Sequence, residues 1–352
     1  MRYGSLFSGI EAATVAWEPL GWAPVFFSEI NPFCCALLQH HYPNIPNYGD
    51  ITKYEDWPNE SVDLLVGGAP CQDFSIAGQR RGIRGARGNL TLVYTDVIRH
   101  LAPRWIIFEN VPGILSSNGG RDFGAFLGTL SQLGYGWAYR ILDAQYTRVE
   151  SHPRAVPQRR RRVILVGYFG DPRPATAVLF EPACMQGDAP PTRQTKESHP
   201  SGADARTHEY SQLPIIAKTL TSHGIRLEMG SELTRDKGPA AIYSVSSASD
   251  PACHQEFTLG IANQSSGISA ITSPTGIRRL TPLECERLQG FPDYYTSIPY
   301  RGKPAFDAPR YRALGNSMAV NVMAWVGQRI AMVSIINTTQ FIWDGHGAPH
   351  LR

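Results

Sequence analysis

Cys71 is the side chain best suited to nucleophilic chemistry, because of where the sequence places it. It lies in the segment GGAPCQDFS at 67–75, directly after an apolar run, Val62 to Val66, that predicts a buried strand. Open α/β sheets bind their ligands just past the carboxyl ends of such strands. A lone cysteine is more often an inert core residue, but the glycine, proline and polar neighbours here offer it little apolar contact. The segment therefore predicts a nucleophile.

A carboxylate follows a second apolar run. Arg104 to Phe108 is a predicted strand, and Glu109 comes directly after it in FENVPG at 108–113. If this strand lies beside the one that precedes Cys71, the carboxyl group and the thiol share one crevice, where the carboxyl group can act as a proton donor. The alternative role for Glu109 is a cap for the segment that follows it.

An arginine-rich segment comes soon after Cys71. Four arginines are interleaved with glycines, and no acidic residue lies among them: Arg80, Arg81, Arg84 and Arg87. Such a segment can lie along phosphates, and it can help to hold a nearby cysteine as the thiolate, which is the reactive form. The alternative is a solvated basic loop.

A second arginine cluster, QRRRR at 158–162, leads directly into the apolar run from Val163 to Gly167. Side chains alternate along a strand, so Arg160 and Arg162 are predicted on one face and the other two arginines on the opposite face. One pair can then face the crevice while the other meets solvent or phosphate. A generic basic patch is the alternative, but it does not explain why the cluster enters a buried strand.

The start of the chain carries the signal of a nucleotide-like ligand. A predicted strand from Tyr3 to Phe7 runs into a small-residue turn that contains Gly9, and a helical pattern follows. Backbone can approach a ligand closely at such a turn. The full G-x-G-x-x-G spacing is absent and Glu11 would repel a pyrophosphate, so a dinucleotide is disfavoured. An ordinary tight turn between strand and helix is the alternative.

Two further carboxylates suit an adenosine derivative. Glu29 follows the predicted strand from Pro24 to Ser28, where the ribose diol of a bound adenosine would lie. Asp50 follows the next apolar stretch and is in position to accept a hydrogen bond from an adenine amine. Either residue alone would more often be a solvated loop residue or a cap. At successive strand ends, the two together favour a cofactor site.

The elements that must position these residues change along the chain. Up to about residue 170, five short apolar runs alternate with helical patterns, which predicts a parallel α/β sheet, and Asn31 with Pro32 predicts a helix that continues to about His41. From 171 the chain is rich in proline, glycine, serine and threonine, which predicts a smaller, loop-rich unit before helical patterns return. The predicted domains are 1–169 and 278–340 for the sheet, 170–277 for the second unit and 341–352 for a tail.

Composition limits the class of protein. The chain has 352 residues, 42% hydrophobic and 18% charged, with a net charge of +3, which is typical of globular proteins and leaves nucleic-acid binding to local patches. Six cysteines without a C-x-x-C pair, and no signal-peptide pattern, disfavour disulfides and a zinc ribbon. Polar residues interrupt the apolar stretch at 319–336, which predicts a buried or amphipathic helix. We expect a cytoplasmic monomer without a metal or a membrane partner.

Together these segments resemble the DNA cytosine carbon-5 methyltransferases. Six motifs occur in the family's order, and the unmatched middle, about 170–275, falls where the family keeps its variable target-recognition domain. The resemblance implies an α/β fold, with a Rossmann-like sheet that uses S-adenosylmethionine and a smaller, loop-rich target-recognition domain. The motifs are LFSGIEAA at 6–13, GGAPCQDFS at 67–75, FENVPG at 108–113, QRRRR at 158–162, RRLTPLECERLQGFPD at 278–293 and YRALGNSMAVNV at 311–322.

The resemblance implies methyl transfer to carbon 5 of a cytosine that is flipped out of double-stranded DNA. By that resemblance the catalytic residues are Cys71, Glu109, Arg160 and Arg162. The residues implied to bind S-adenosylmethionine are Phe7, Gly9, Glu29, Ile30, Asp50, Ile51, Pro70, Asn316 and Ser317. Those implied to contact DNA are Gln72, Ser75, Arg87, Thr219 and Arg226.

The DNA-contacting residues of the middle region rest on one segment, KTLTSHG at 218–224, which resembles the loop that many members present to the major groove. Arg226 just beyond it is a candidate guanine reader, because arginine pairs bidentately with the major-groove edge of guanine. A hairpin with an incidental arginine is an equal alternative.

The chain departs from the family pattern in three ways. Glu11 and Ala12 stand where many members have a glycine pair, Ala69 replaces a bulkier residue, and 147–155 resembles an insertion. None of them removes a group that the implied chemistry needs.

Three other functions compete with this interpretation. An RNA cytosine methyltransferase of the same fold is disfavoured by the domain-sized segment 170–277. A non-catalytic DNA-binding regulator is disfavoured because Cys71, Glu109 and both arginines are intact. A nicotinamide oxidoreductase lacks the required glycine spacing.

Overall fold

The computed structural model describes residues 1–69, 90–151, 155–180 and 280–335 with their side chains, and the backbone of 336–343 and of five short strands within 220–279. The strands are β1 Arg2–Leu6, β2 Ala23–Ser28, β3 Leu64–Gly67, β4 Trp105–Asn110, β5 Tyr135–Asp143, β6 Arg161–Phe169, β7 Leu220–Thr221, β8 Gly224–Ile225, β9 Thr258–Leu259, β10 Ala270–Ser273, β11 Gly276–Arg279, β12 Pro299–Tyr300 and β13 Lys303–Pro304. The helices are α1 Ala12–Trp17, α2 Pro32–His41, α3 Leu90–Leu101, α4 Arg121–Gln132, α5 Pro172–Leu179, α6 Pro282–Gln289, α7 Asp307–Asn316 and α8 Val320–Trp343, with 3₁₀ helices at Glu18–Leu20, Ile51–Asp56 and Pro112–Gly120.

The central sheet has six strands in the order β2-β1-β3-β4-β6-β5. The first four are parallel, as the sequence predicts, but β6 runs antiparallel to both β4 and β5. The expectation of a purely parallel sheet was therefore wrong at one edge. The described residues between β5 and β6 form turns and no helix, and without a crossover helix the chain returns antiparallel.

Helices cover both faces of this sheet. Trp105 and Ile107 on β4 pack into the core on the side of α1, α5 and α8, whereas Ile106 and Phe108 pack on the side of α3 and α4. Strands that are buried on both faces have continuous apolar runs, which is why the parallel strands could be recognised from the sequence. The α/β fold is confirmed.

Two predicted helices are confirmed. The side chain of Asn31 accepts hydrogen bonds from the backbone of Phe33 and Cys34 and so caps α2. The first half of α8 is buried against α1 and α5, and Trp17 Nε1 donates to the carbonyl oxygen of Met323 at 2.8 Å. The stretch Asp307–Ile335 is long and apolar enough to cross a membrane by composition, but it comprises two helices, and half of its most apolar 18-residue window is buried inside the protein.

Two elements extend beyond the predicted domain limits. Helix α5 packs against β5 and β6, so the sheet layer continues to Leu179 rather than ending at residue 169. Helix α8 continues to Trp343, beyond residue 340. Between them, the middle region contributes the β7–β8 hairpin and the three-stranded sheet β9–β10–β11.

Candidate active site

A crevice opens where β1, β3 and β4 end. It lies at the edge where open α/β sheets bind ligands. The turn after β1 and the link between α7 and α8 also contribute to its wall. The lining residues are Ser5, Leu6, Phe7, Ser8, Gly9, Glu11, Ala12, Ala13, Val66, Gly68, Glu109, Asn316, Ser317 and Met318.

The turn after β1 has an unusual backbone. Phe7, Gly9 and Glu11 all have left-handed conformations, with φ of 53°, 56° and 58°. This conformation suits glycine, but it costs a phenylalanine or a glutamate roughly 1–2 kcal/mol. Ser8 closes the turn, since its hydroxyl donates to the carbonyl oxygen of Ser5 at 2.9 Å. Strained backbone of this kind often occurs at ligand sites.

Glu29 is held rigidly beside this turn. Its carboxylate accepts backbone N–H hydrogen bonds from Gly9 at 2.7 Å, Ile30 at 2.9 Å and Asn31 at 2.7 Å. A carboxylate has about four acceptor positions, so a hydroxyl donor can still be accommodated. The side chain of Ile30 is 70% exposed. Glu29 is therefore fixed where a ligand in the crevice could extend over β2.

Asp50 has a local structural role and is not at a strand end, contrary to expectation. It caps the 3₁₀ helix Ile51–Asp56, with its Oδ1 accepting from the backbone N–H of Thr52 at 2.9 Å and from its hydroxyl at 2.8 Å. Ile51 is buried in the core beside Leu6 and Phe26. Glu29, Ile30, Asp50 and Ile51 do not line the crevice, whereas Phe7, Gly9, Asn316 and Ser317 do.

Glu109 and Arg162 form an ion pair at the crevice. The distance from Arg162 Nε to Glu109 Oε1 is 3.0 Å, and each side chain is 13% exposed. Glu109 lies opposite Ile164 in the β4–β6 ladder, which puts it on the same face as Arg162. Gly68 leaves room for this carboxylate, because a Cβ there would be 2.8 Å from the carbonyl oxygen of Glu109 and 3.2 Å from Oε2.

The chain that leads toward Cys71 is tied to β4. Asn110 Nδ2 donates to the carbonyl oxygen of Ala69 at 3.0 Å, and both residues are buried. Strands β3 and β4 are neighbours, and Gly67 lies opposite Phe108. The residues that follow these two, Gly68 and Glu109, both line the crevice. Pro70 and Cys71 lie outside the described residues, as do Gln72, Ser75 and Arg87.

Arg160 holds the α7–α8 link rather than lining the crevice. Its side chain is buried, and Nη2 donates to the carbonyl oxygens of Gly315, at 3.2 Å, and Ser317, at 2.5 Å. Burial, and then the charge of nearby Arg162, lower the pKa of Arg160. The predicted alternation holds, because Arg159 and Arg161 are exposed. Arg160 and Arg162 therefore have different surroundings. Arg162 lies beside Glu109, whereas Arg160 lies behind the crevice wall.

Sequence reasoning missed Glu11 as a part of the site. Its side chain is 1% exposed, accepts a hydrogen bond from the Ser5 hydroxyl, and accepts another from Thr14 Oγ1 at 2.6 Å. Burial raises its pKa from the ordinary 4.5 to about 7. The only signal in the sequence is a glutamate where many members of the family have glycine. Gly68, Asn110 and Met318 were also missed as parts of this site.

The predicted contacts with DNA cannot be placed in the same way. Thr219 and Arg226 flank the β7–β8 hairpin and lie outside the described residues. Thr147, at the start of the predicted insertion at 147–155, contacts α8, since Asn321 Nδ2 donates to the carbonyl oxygen of Thr147 at 2.8 Å. Among the residues that the structure describes, no group of three or more His, Cys, Asp or Glu side chains could hold a metal ion.

Comparison with known proteins identifies the family. A model of the family described as "C-5 cytosine-specific DNA methylase" matches residues 1–332. The type II methyltransferase M2.BsuMI of Bacillus subtilis (strain 168) is 32% identical over 94% of this chain and 75% of its own length. M.HpaII of Haemophilus parainfluenzae is 29% identical over 92% of this chain and 87% of its own length.

One relative carries a different name. A protein of Escherichia phage P1 named "DNA N-6-adenine-methyltransferase" is 32% identical over 93% of this chain, which spans only 61% of that relative's length.

Among solved structures, S. pombe Dnmt2 methyltransferase matches with a TM-score of 0.60 at 18% identity, over 96% of this chain and 99% of the other. That likeness confirms the predicted methyltransferase-type fold. By the family match over residues 1–332, the chain belongs to the C-5 cytosine-specific DNA methylases and is, by family, a DNA (cytosine-5-)-methyltransferase.

Proposed function

We propose that this protein transfers a methyl group from S-adenosylmethionine to carbon 5 of a cytosine flipped out of duplex DNA, through a covalent adduct with Cys71. The observation that carries the proposal is the Glu109–Arg162 pair, 3.0 Å apart, at the same crevice as the strained turn after β1. The wall formed by the turn after β1 can therefore bind a methyl donor, while the wall that carries Glu109 holds a base. Action as a monomer in the cytoplasm stays a prediction.

The crevice fits the methyl donor. The left-handed backbone at Gly9 opens the turn after β1 to a close approach by the donor. Glu29 offers a fixed carboxylate to a ribose diol, and the exposed Ile30 lies beside it. Asn316 and Ser317 line the opposite wall. When bound there, S-adenosylmethionine supplies an activated methyl group.

Glu109 would bind the cytosine. Its carboxyl group can reach ring nitrogen 3 and the exocyclic amine, while Arg162 holds it in place and supplies positive charge beside the base. A proton held at nitrogen 3 withdraws electrons from the ring and so favours nucleophilic attack at carbon 6. This step needs a carboxyl group whose orientation is fixed, which the Arg162 contact and the space above Gly68 provide.

Cys71 would make carbon 5 nucleophilic. The thiolate would add to carbon 6, which breaks the aromatic conjugation. Carbon 5 would then take the methyl group as the bond from that group to the donor's sulfur breaks, and S-adenosylhomocysteine would leave. A base next removes the proton from carbon 5, and the bond from sulfur to carbon 6 breaks to return the thiolate and the aromatic ring. Pro70 would line the donor's pocket, and Arg160 would act as a positioning residue through Gly315 and Ser317.

The proposed DNA contacts come from the loop after Cys71 and from the middle region. Gln72 and Ser75 would contact the DNA, and Arg87 would bind a phosphate. Thr219 and Arg226 would reach the major groove from the proposed target-recognition domain at 170–277.

The function is tested with purified protein and donor carrying a labelled methyl group. We expect label in duplex DNA from a methylation-free host, in the nucleoside 5-methylcytosine, and none with the Cys71→Ser variant. Label in N6-methyladenine instead would contradict the proposal and agree with the name of the phage P1 relative. Transfer only to RNA would favour an RNA cytosine methyltransferase, and absence of transfer with intact DNA binding would favour a regulator.

A further inference from the structure

Glu11 is an acidic wall residue that the proposed reaction does not use. It lines the crevice together with Ser5, whose hydroxyl donates to the Glu11 carboxylate. Its side chain is 1% exposed, and its φ of 58° is a conformation that favours glycine. A glutamate kept in a strained and buried position at a ligand crevice suggests that its side chain is used.

The charge of Glu11 has no counterpart among the described residues. No lysine, arginine or histidine of the described residues forms an ion pair with it, and Arg162 is paired with Glu109. Burial raises the pKa of Glu11 to about 7, although the hydroxyl groups of Ser5 and Thr14 favour its charged form. The titratable groups that face it add no positive charge: Tyr3 on β1, Tyr42 after α2 and Tyr295 after α6.

We infer that Glu11 is the charge partner of the sulfonium group of the methyl donor, an inference that rests on the proposed function. A cation in the crevice supplies the positive charge that the buried carboxylate lacks. The demethylated product, S-adenosylhomocysteine, has a neutral thioether in its place. Glu11 therefore favours the donor over the product, and this preference promotes exchange of product for fresh donor after each transfer.

The pairing also links donor binding to a proton. Burial keeps the carboxyl group of Glu11 partly protonated near neutral pH in the free protein, and an adjacent cation favours its ionised form. Binding of the donor near neutral pH should therefore release protons. Because the ionised form binds the cation better, donor affinity should rise with pH between 6 and 8.

Calorimetric titration of the full chain with donor and with product tests this inference without methyl transfer. We compare wild type with Glu11→Gln, which keeps the size of the side chain, and with Glu18→Gln, an exposed control seven residues along the chain. We expect Glu11→Gln to weaken donor binding about tenfold and product binding less than twofold. The same variant should abolish the proton release on donor binding and the pH dependence of donor affinity. Glu18→Gln should behave as wild type. Glu11→Gly, which suits the left-handed backbone, should repeat the loss if Glu11→Gln proves unstable.

The outcomes separate the two proposals. Equal weakening of donor and product, or no change with Glu11→Gln, would overturn the role of Glu11 while the proposed function stands. A wild-type protein that binds the product but releases no proton with the donor would also overturn it. Absence of donor binding by the wild type would contradict the proposed function itself.

Discussion

Arg162 Nε lies 3.0 Å from Glu109 Oε1, and both side chains are only 13% exposed. The other carboxylate oxygen lies near Gly68, three residues before Cys71 in the sequence. The ion pair thus fixes a carboxylate between the strand that carries it and the chain that leads to the proposed nucleophile. The proposed chemistry depends on that placement.

Replacement of Glu109 by glutamine should remove the proton donor and keep the shape of the side chain. We expect kcat for methyl transfer to fall by about 10²–10⁴, the usual contribution of a general acid. Affinity for S-adenosylmethionine should change less than twofold, because the change affects the base side of the crevice. Single-turnover kinetics and a separate binding titration measure the two effects. A kcat within threefold of wild type would exclude this role.

Gly68→Ala should act on the same carboxylate indirectly. The added Cβ would lie 2.8 Å from the backbone carbonyl oxygen of Glu109, so β4 or the loop must shift. We expect roughly a 10²-fold loss of kcat from misplacement of the carboxylate, and a stability loss of about 1–3 kcal/mol. The control is Gly128→Ala in α4, where nothing lies within 4 Å of the new Cβ. Full activity of Gly68→Ala would show that the placement of Glu109 is not critical.

Arg160→Met should destabilise the fold. The change leaves the carbonyl oxygens of Gly315 and Ser317 without their donor inside the protein, which costs about 2–4 kcal/mol. Donor affinity should fall too, because Ser317 lines the crevice. Arg161→Met, at the exposed neighbour, should change the free energy of unfolding by less than about 0.5 kcal/mol. Urea unfolding compares the two, and equal effects would contradict the anchoring role.

The stability of the donor-free protein should depend on pH through Glu11. Its pKa is raised from 4.5 to about 7 by burial, so between these pH values the folded state holds a proton that the unfolded state has lost. Rising pH therefore destabilises the fold, by on the order of 3 kcal/mol above pH 7. Glu11→Gln should be more stable than wild type at pH 8 and equal near pH 4.5. A difference that does not vary with pH would contradict this account.

Local sequence patterns were sufficient to predict much of the sheet. The apolar runs located β1 to β4, and strand alternation put Arg160 and Arg162 on one face and Arg159 and Arg161 on the other. The sequence left open whether the strand before Glu109 lies beside the strand that precedes Cys71, and the β3–β4 ladder shows that it does.

What could not be predicted depends on contacts between distant parts of the chain. The different environments of Arg160 and Arg162 arise because the α7–α8 link, about 155 residues away, packs behind β6. The antiparallel edge depends on how the β5–β6 connection folds. Burial of Glu11 requires α1, Tyr42 and Tyr295 to pack around it, and no local pattern encodes that.

Covalent trapping tests the central claim most directly. The protein is incubated with S-adenosylmethionine and a long duplex in which every cytosine carries fluorine at carbon 5, so that any target sequence is present. A base can remove a proton from carbon 5 but not fluorine, so the adduct cannot resolve. We predict a protein–DNA complex that survives denaturing electrophoresis and that requires both the cofactor and Cys71. A complex of the same yield with Cys71→Ser, or no complex from a preparation that methylates ordinary duplex DNA, would contradict the account.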